Sequence, residues 1–402
     1  MVNKRSILVI TYWSFNDALI QTYTLPYIDI ILQNLPEGSK IILVTLDKTP
    51  PVIPLELGEK NIELKSIKYN KFGFKGAIMA IKAIITLLYV IKKNKVDTLH
   101  AWCTPGGMIA TILSKISGKT LILDSFEPHA ESMVENGTWS KKGLAFKILF
   151  KFEKIQAKRA KYIIATTEGM KDYAKKTYGH HRANVLTKPA CVNLNMFSNK
   201  NKKNAELLKS LKLEDKIVCV YAGKLGGIYL EQEVFDFWKV AQDFWGDKFH
   251  VLLLGSYEAG YLTKLANQST FNIAHLTHVY VQHNSIPDYI GLGDFGITPV
   301  KPVPTKRYCS PIKNGEYWAL GLPVVITKDI SDDSEIIEST DSGFVLKKLS
   351  KEDYIQAINK INLLLQTWSK EELYQNIRSI AQKYRSFDIA KNVYKKIYSE
   401  YE

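Results

Sequence analysis

At 402 residues the chain is too long for a single hydrophobic core and implies two domains of about 200 residues each. With 46% hydrophobic and 23% charged residues its usage is ordinary for globular proteins, which excludes extended disorder. The formal charge is +14, and residues 1–200 carry all of it (29 Lys and Arg against 15 Asp and Glu), while the remainder balances at 25 against 25; only the first half invites an anionic partner such as a membrane surface.

The first half alternates short apolar runs with helical patterns. SILVIT (6–11), KIILVTL (40–46), IELKSI (62–67), DTLHAW (97–102), LILDSF (121–126) and YIIATT (162–167) read as strands. Helices are expected near 24–35, 75–95, 105–117, 141–160 and 168–178. SILVITYW is too short for a secretory leader and has no small-residue cleavage site after it. The longest apolar stretch, GAIMAIKAIITLLYVI, is interrupted by Lys82 and falls short of the ~20 residues that span a bilayer, so it reads as a buried helix. The basic segment KGLAFKILFKFEKIQAKRAK spaces Leu144, Ile148, Phe152 and Ile155 as one helical stripe among lysines; the stripe suits the sheet or an anionic bilayer.

The polar run SNKNKKN (198–204) reads as a linker, after which the pattern restarts. Strands are expected at 217–222, 250–255, 278–281, 295–300 and 322–327, and a closing helix at 386–402. The implied domains are 1–197 and 198–385, with 386–402 returning to the first. Apolar strands alternating with helices predict doubly wound parallel sheets, an α/β class in which ligands bind beyond the carboxyl ends of strands. Cys103, Cys191, Cys219 and Cys309 are scattered without metal-ligand spacing and read as free thiols of a reducing cytosol.

The strand ends supply the candidate residues. After 217–222 comes GKLGG, where Gly223, Gly226 and Gly227 let backbone amides approach an anion and Lys224 adds charge. Val281 ends a strand whose backbone edge could meet a nucleobase. In SPIKNGEYWALGLPVV, Ser310 suits an N-cap, Pro311 the first helical position, and Gly321 with Pro323 the stop. A helix from Pro311 to Leu320 then presents its amide end near Ile312, and Lys313 and Glu316 can face one cleft or form an exposed ion pair. In the first half, DSFEPHAESM places Glu127 and His129 past a buried strand, where acid–base chemistry, sugar binding and a structural histidine all remain open. His100, inside a strand, reads as structural. The loop YWSFNDALIQTY offers Asn16 and Asp17 among aromatics, suited to a polar acceptor or to packing.

In order, YAGKLGG, VYVQHNSIPDYIGLGDFGITPV and SPIKNGEYWALGLPVV resemble the family-4 (group 1) glycosyltransferases, which are retaining enzymes on nucleotide-sugars. The run KPACVNLNMF (188–197) resembles that family's interdomain signature, with Asn193 where an Asp is usual. The resemblance implies the GT-B fold, two facing Rossmann-like domains with a C-terminal helix returning to the first. It implies that Glu316, the second glutamate of a Glu-x7-Glu motif, holds the donor ribose; Tyr308 stands where the first glutamate is usual, and Lys313 is the implied substitute. Lys224, the turn at Gly223, Gly226 and Gly227, and the segment Ser310, Pro311 and Ile312 are implied diphosphate ligands, Val281 a base contact, and His129 with Glu127 the sugar-side catalytic group. The family's usual glycine pair in the first loop is missing, and Asn16 and Asp17 of that loop are the acceptor-side candidates.

The function so implied is transfer of a hexose from a UDP- or GDP-sugar to a saccharide or lipid-linked acceptor, for cell-surface polysaccharide or glycolipid. No metal and no further cofactor are expected, because lysines and amides suffice for the diphosphate, and the setting expected is cytoplasmic at a membrane periphery. A nucleotide-sugar epimerase or hydrolase on the same fold, and a basic nucleic-acid-binding protein, are the competing readings. The last lacks any pattern of aromatics among basic residues.

Overall fold

The computed structural model describes residues 4–69, 74–179 and 184–399, and the chain divides into two compact units, residues 1–189 with 388–402, and residues 190–387. The first holds a seven-stranded parallel sheet in the order β3-β2-β1-β4-β5-β6-β7. Its strands are β1 (Ser6–Ile10), β2 (Lys40–Asp47), β3 (Ile62–Lys68), β4 (Thr98–Trp102), β5 (Thr120–Phe126), β6 (Tyr162–Ala165) and β7 (Asn184–Thr187). The second holds six parallel strands in the order β10-β9-β8-β11-β12-β13. These are β8 (Ile217–Ala222), β9 (Phe249–Leu254), β10 (Leu276–Val279), β11 (Phe295–Thr298), β12 (Val324–Thr327) and β13 (Gly343–Leu346).

Strand β8 shows why the runs are apolar throughout. Val218 and Val220 pack on one side with Trp318 and Leu322, while Cys219 and Tyr221 pack on the other with Trp238 and Phe235. Helices cover both faces, so neither face needs polar alternation. The strand order reverses direction at β1/β4 in the first unit and at β8/β11 in the second, and each reversal opens a crevice at the carboxyl ends.

The closing helix, Phe387–Ser399, is anchored in the first unit by a buried polar cluster. Tyr394 donates to Asp124 at 2.6 Å, and the Tyr398 hydroxyl lies 2.7 Å from His100 Nδ1. His100 stacks on Trp102 and meets Asp124 at 3.2 Å, which fixes its structural role. Lys188 completes the cluster 3.2 Å from Asp124, with its ammonium over the Tyr27 ring. Burial alone would raise the Asp124 carboxyl, but Lys188 and these hydrogen bonds hold it down at about 2. Residues 400–402 of the expected closing helix lie outside the described residues.

Several expectations are corrected. The segment 198–204 is not a linker: Asn201 donates to Asp288, and Lys203 pairs with Asp294 at 2.8 Å, so it is folded onto the second unit. The unit boundary falls earlier, at Pro189 and Ala190. Strands β7 and β13 and the helices Leu55–Glu59 and His129–Glu135 went unread because all are short. In the Leu144–Arg159 helix the buried positions are Phe146, Leu149, Glu153, Gln156 and Ala157, and Leu144 is 68% exposed. Two polar residues on the buried face disguised the stripe. The Phe74–Lys93 helix is buried on one face only, through Ala83, Leu87, Val90 and Ile91.

Candidate active site

At the carboxyl end of β8 the chain turns through Gly223 to Gly227. Gly226 and Gly227 have φ of 79° and 62°, a left-handed pair that side chains resist. Two tyrosines fix the entry to the turn: Tyr257 donates to the Gly223 carbonyl and Tyr221 to the Lys224 carbonyl, each at 2.5 Å. The exit is tied to the segment after β11, with the Lys301 amide on the Ile228 carbonyl (3.0 Å) and the Leu230 amide on the Pro299 carbonyl (2.8 Å). The glycine turn and the end of β11 thus form one rim at the strand-order reversal.

The helix Ile312–Ala319 follows the same rim. Its N-cap is Pro311 and no side chain caps it. Ser310 is therefore not the expected cap. Its hydroxyl instead accepts from the Ala190 amide (3.1 Å) and from Arg385. Arg385 is also paired with Asp333, Asn314 donates to Asp333 at 2.6 Å, and Thr298 donates to Asn314. This chain of buried polar groups runs from β11 through the helix to Arg385 and sets the helix register. Burial raises the Asp333 carboxyl despite the adjoining guanidinium.

Lys313 and Glu316 lie on that helix, and they form no ion pair within 4.0 Å. Lys313 reaches the glycine turn instead: its ammonium is 3.2 Å from the Tyr229 hydroxyl and 4.7 Å from the centre of that ring. Glu316 is 8% exposed, and its carboxylate takes no hydrogen bond from a described residue. Burial pushes it up to about 7, with Lys313 pulling the other way. A buried carboxyl without a donor is unfavourable by a few kcal/mol unless a ligand supplies one. The arrangement offers an anion site of amides and ammonium beside an acceptor of hydroxyl protons.

The other expected residues are scattered. Lys224 is exposed; its carbonyl accepts from Tyr221, and its ammonium makes no hydrogen bond or ion pair to a described residue. Val281 is half-buried but lies beyond β10, which ends at Val279, and the Val279 carbonyl is already taken by the Gly255 amide at 3.0 Å. Tyr229 and Tyr257 were missed, since nothing local distinguishes a tyrosine that positions a turn from one that packs.

In the first unit, Glu127 and His129 follow β5, both half-buried, and His129 opens the helix His129–Glu135. Glu153, wholly buried, accepts the Ala130 amide (2.8 Å) and the Tyr178 hydroxyl (3.0 Å) and shares the His129 amide. Burial pushes Glu153 up to about 8. Asn16 and Asp17 are exposed after β1, and Asp17 caps its own turn at the Leu19 amide, 2.9 Å away. Asp47 holds that loop through the Ser14 hydroxyl and the Phe15 amide, both at 2.7 Å. Among the described residues no group of three or more His, Cys, Asp or Glu is placed to hold a metal ion.

Comparison with known proteins agrees with this architecture. Residues 15–167 match a family model described as glycosyl transferase 4-like. Three solved structures cover nearly all of the chain: a glycosyltransferase from Rickettsia africae (15% identity, 99% of each chain, TM-score 0.71), sucrose-phosphate synthase from Thermosynechococcus elongatus (14%, 99% of each, 0.74), and Anabaena HepE in complex with UDP-glucose (15%, 98% of this chain and 99% of that one, 0.72). A search of curated proteins gave no match. Residues 15–167 are thus similar to the glycosyl transferase 4-like family, and by the arrangement of both sheets the chain has the GT-B fold.

Proposed function

We propose that the protein is a retaining glycosyltransferase that moves a hexose from a nucleoside diphosphate sugar to a saccharide or lipid-linked acceptor, building cell-surface polysaccharide or glycolipid at the cytoplasmic periphery of a membrane. The observation that carries the donor half is Glu316, a buried carboxyl with no donor among the described residues, one helical turn from an ammonium that reaches the glycine turn. Two ribose hydroxyls would satisfy the carboxylate. The Gly226–Gly227 amides, the uncapped helix start at Ile312, Lys313 and the exposed Lys224 would meet the diphosphate. Ser310 and Pro311 shape that helix start, and Val281 is assigned to the base edge. HepE, crystallised with UDP-glucose, makes UDP-linked hexoses the first donors to try.

In the reaction the acceptor oxygen bonds to the anomeric carbon as the bond from that carbon to the diphosphate breaks. The electron pair leaves with the diphosphate, whose oxygen takes the acceptor proton. Negative charge grows on the diphosphate during this step, so Lys313 and the fixed amides stabilise the transition state more than the ground state. His129 and Glu127 are assigned to the sugar side, and Asn16 and Asp17 to the acceptor.

A thermal-shift panel of UDP, GDP, ADP and CMP tests the reading. A nucleoside diphosphate should raise Tm by several degrees in wild type and by much less in Glu316→Ala. No shift with any of the four would remove the donor site.

A further inference from the structure

The Phe74–Lys93 helix has an apolar face that the described residues leave exposed. Ile78, Ile81, Ile85 and Tyr89 are 40%, 60%, 63% and 65% exposed. Their spacing of three, four and four puts them on one outward stripe, opposite the buried Ala83, Leu87 and Val90. Single exposed isoleucines are unremarkable, but four large apolar side chains in line form a patch. Beside the stripe, between the helix and the edge strand β3, runs a groove of about 510 Å³ lined by Ile67, Ile78 and Met79 and rimmed by Lys65, Lys68 and Lys82. From Leu64 to Val96 the chain has eight lysines and no acidic residue.

We propose that this face, the outward stripe of the Phe74–Lys93 helix with the adjoining lysine-rimmed groove, docks on the surface of an anionic lipid bilayer. It deepens the membrane part of the proposed function and is independent of the donor chemistry. An apolar ridge flanked by lysines suits a helix lying in the interface, with isoleucines among the acyl chains and ammonium groups at phosphate level. The helix cannot cross, because its other face is buried in the first unit, where it meets the Cys103–Ser117 helix; among the described residues no helix is long and apolar enough to span. A second copy of the chain fits poorly, since a two-fold contact would set this lysine-rich patch against itself. Nucleic acid fits poorly too, because three of the four stripe residues are isoleucines and Tyr89 alone offers a ring for a base to stack on.

The test is flotation of the full chain with phosphatidylcholine vesicles, with and without phosphatidylglycerol, at low and moderate salt. The wild type should float with the anionic vesicles, less so as salt rises, and should leave neutral vesicles alone. Ile81→Glu/Ile85→Glu should lower the bound fraction roughly tenfold or more, and so should Lys65→Ala/Lys68→Ala/Lys82→Ala, which spares the helix should the first variant fold badly. Both variants should bind UDP as wild type does, so a failure of UDP binding counts against the donor site alone. Flotation of either folded variant at the wild-type level would overturn the proposal. So would equal binding to neutral vesicles, or a wild-type dimer that the isoleucine variant splits without change in flotation.

Discussion

Lys313 fills the space that Gly223 leaves by having no side chain. A Cβ there would lie 2.6 Å from Lys313 Cε and 3.1 Å from its ammonium. Gly223→Ala should therefore displace the lysine from the turn while leaving β8 intact. We expect kcat/KM for donor to fall roughly tenfold or more, since a misplacement of about 1 Å is costly at a reacting centre, and Tm to fall by several degrees as well, because the Gly223 φ of 156° resists a side chain. Steady-state kinetics against donor decide it, and an unchanged kcat/KM would detach Gly223 and Lys313 from one another in function.

Lys313 itself should act on the chemical step. Lys313→Met keeps the stem and removes the charge, and kcat should fall by roughly 10²–10³ with a smaller change in donor KM, as for loss of one transition-state donor. A rise in KM at constant kcat would instead assign it to ground-state binding.

Glu316 makes a pH prediction with a definite sign. Its folded carboxyl, at about 7, lies above the unfolded value of 4.5, so the folded protein is favoured while the group is protonated. That advantage is fully present below pH 4.5 and is lost as the pH rises through 7, a swing of roughly 3 kcal/mol. Glu316→Gln should therefore be more stable than wild type at pH 8 and equal to it near pH 4.5, by urea denaturation, even as it loses donor affinity. Stabilisation together with lost binding marks a residue kept for a ligand; a Gln variant that is less stable at pH 8 would show a structural carboxylate.

Arg385 and Asp333 lie under the same helix, both buried. Arg385→Leu strands the Asp333 carboxyl and should cost roughly 3–5 kcal/mol in urea denaturation. A loss below about 1 kcal/mol would mean that the pair does not hold the helix.

In the first unit, the Asp124 carboxyl is lowered from 3.8 to about 2, so its contribution is present above pH 3.8 and lost as the pH falls through 2. Asp124→Asn should flatten that acid limb and expose the Phe387–Ser399 helix to proteolysis, because Tyr394 loses its ionised partner. A protease-resistant variant would place the anchoring of that helix elsewhere.

What the chain reveals by itself is uneven for physical reasons. Strand β8 was legible to the residue because it is buried on both faces and ends in a glycine turn. The Ile312–Ala319 helix was legible through Pro311 and Gly321, although Ser310 was misread as its cap. A good capping residue is equally good for a distant arginine, and the sequence spacing of Ser310 and Arg385 says nothing of their meeting. The chain from Thr298 to Arg385 was hidden for the same reason. Glu316 stood out from its neighbours, yet its lack of a hydrogen-bond donor among the described residues is visible only in three dimensions. The outward isoleucines of the Phe74–Lys93 helix were misread as core because hydrophobicity alone cannot tell which face of a helix is covered.

The central claim is that the Glu316 carboxylate grips the ribose of a nucleoside diphosphate. Calorimetric titration at pH 8 compares UDP or GDP, whichever stabilises the protein more, with its 2′-deoxy counterpart, in wild type and in Glu316→Ala. Wild type should bind the ribose form roughly tenfold more tightly or better, and Glu316→Ala should bind both forms equally and weakly. Equal affinity of wild type for the two forms, or full discrimination retained in Glu316→Ala, would contradict the account.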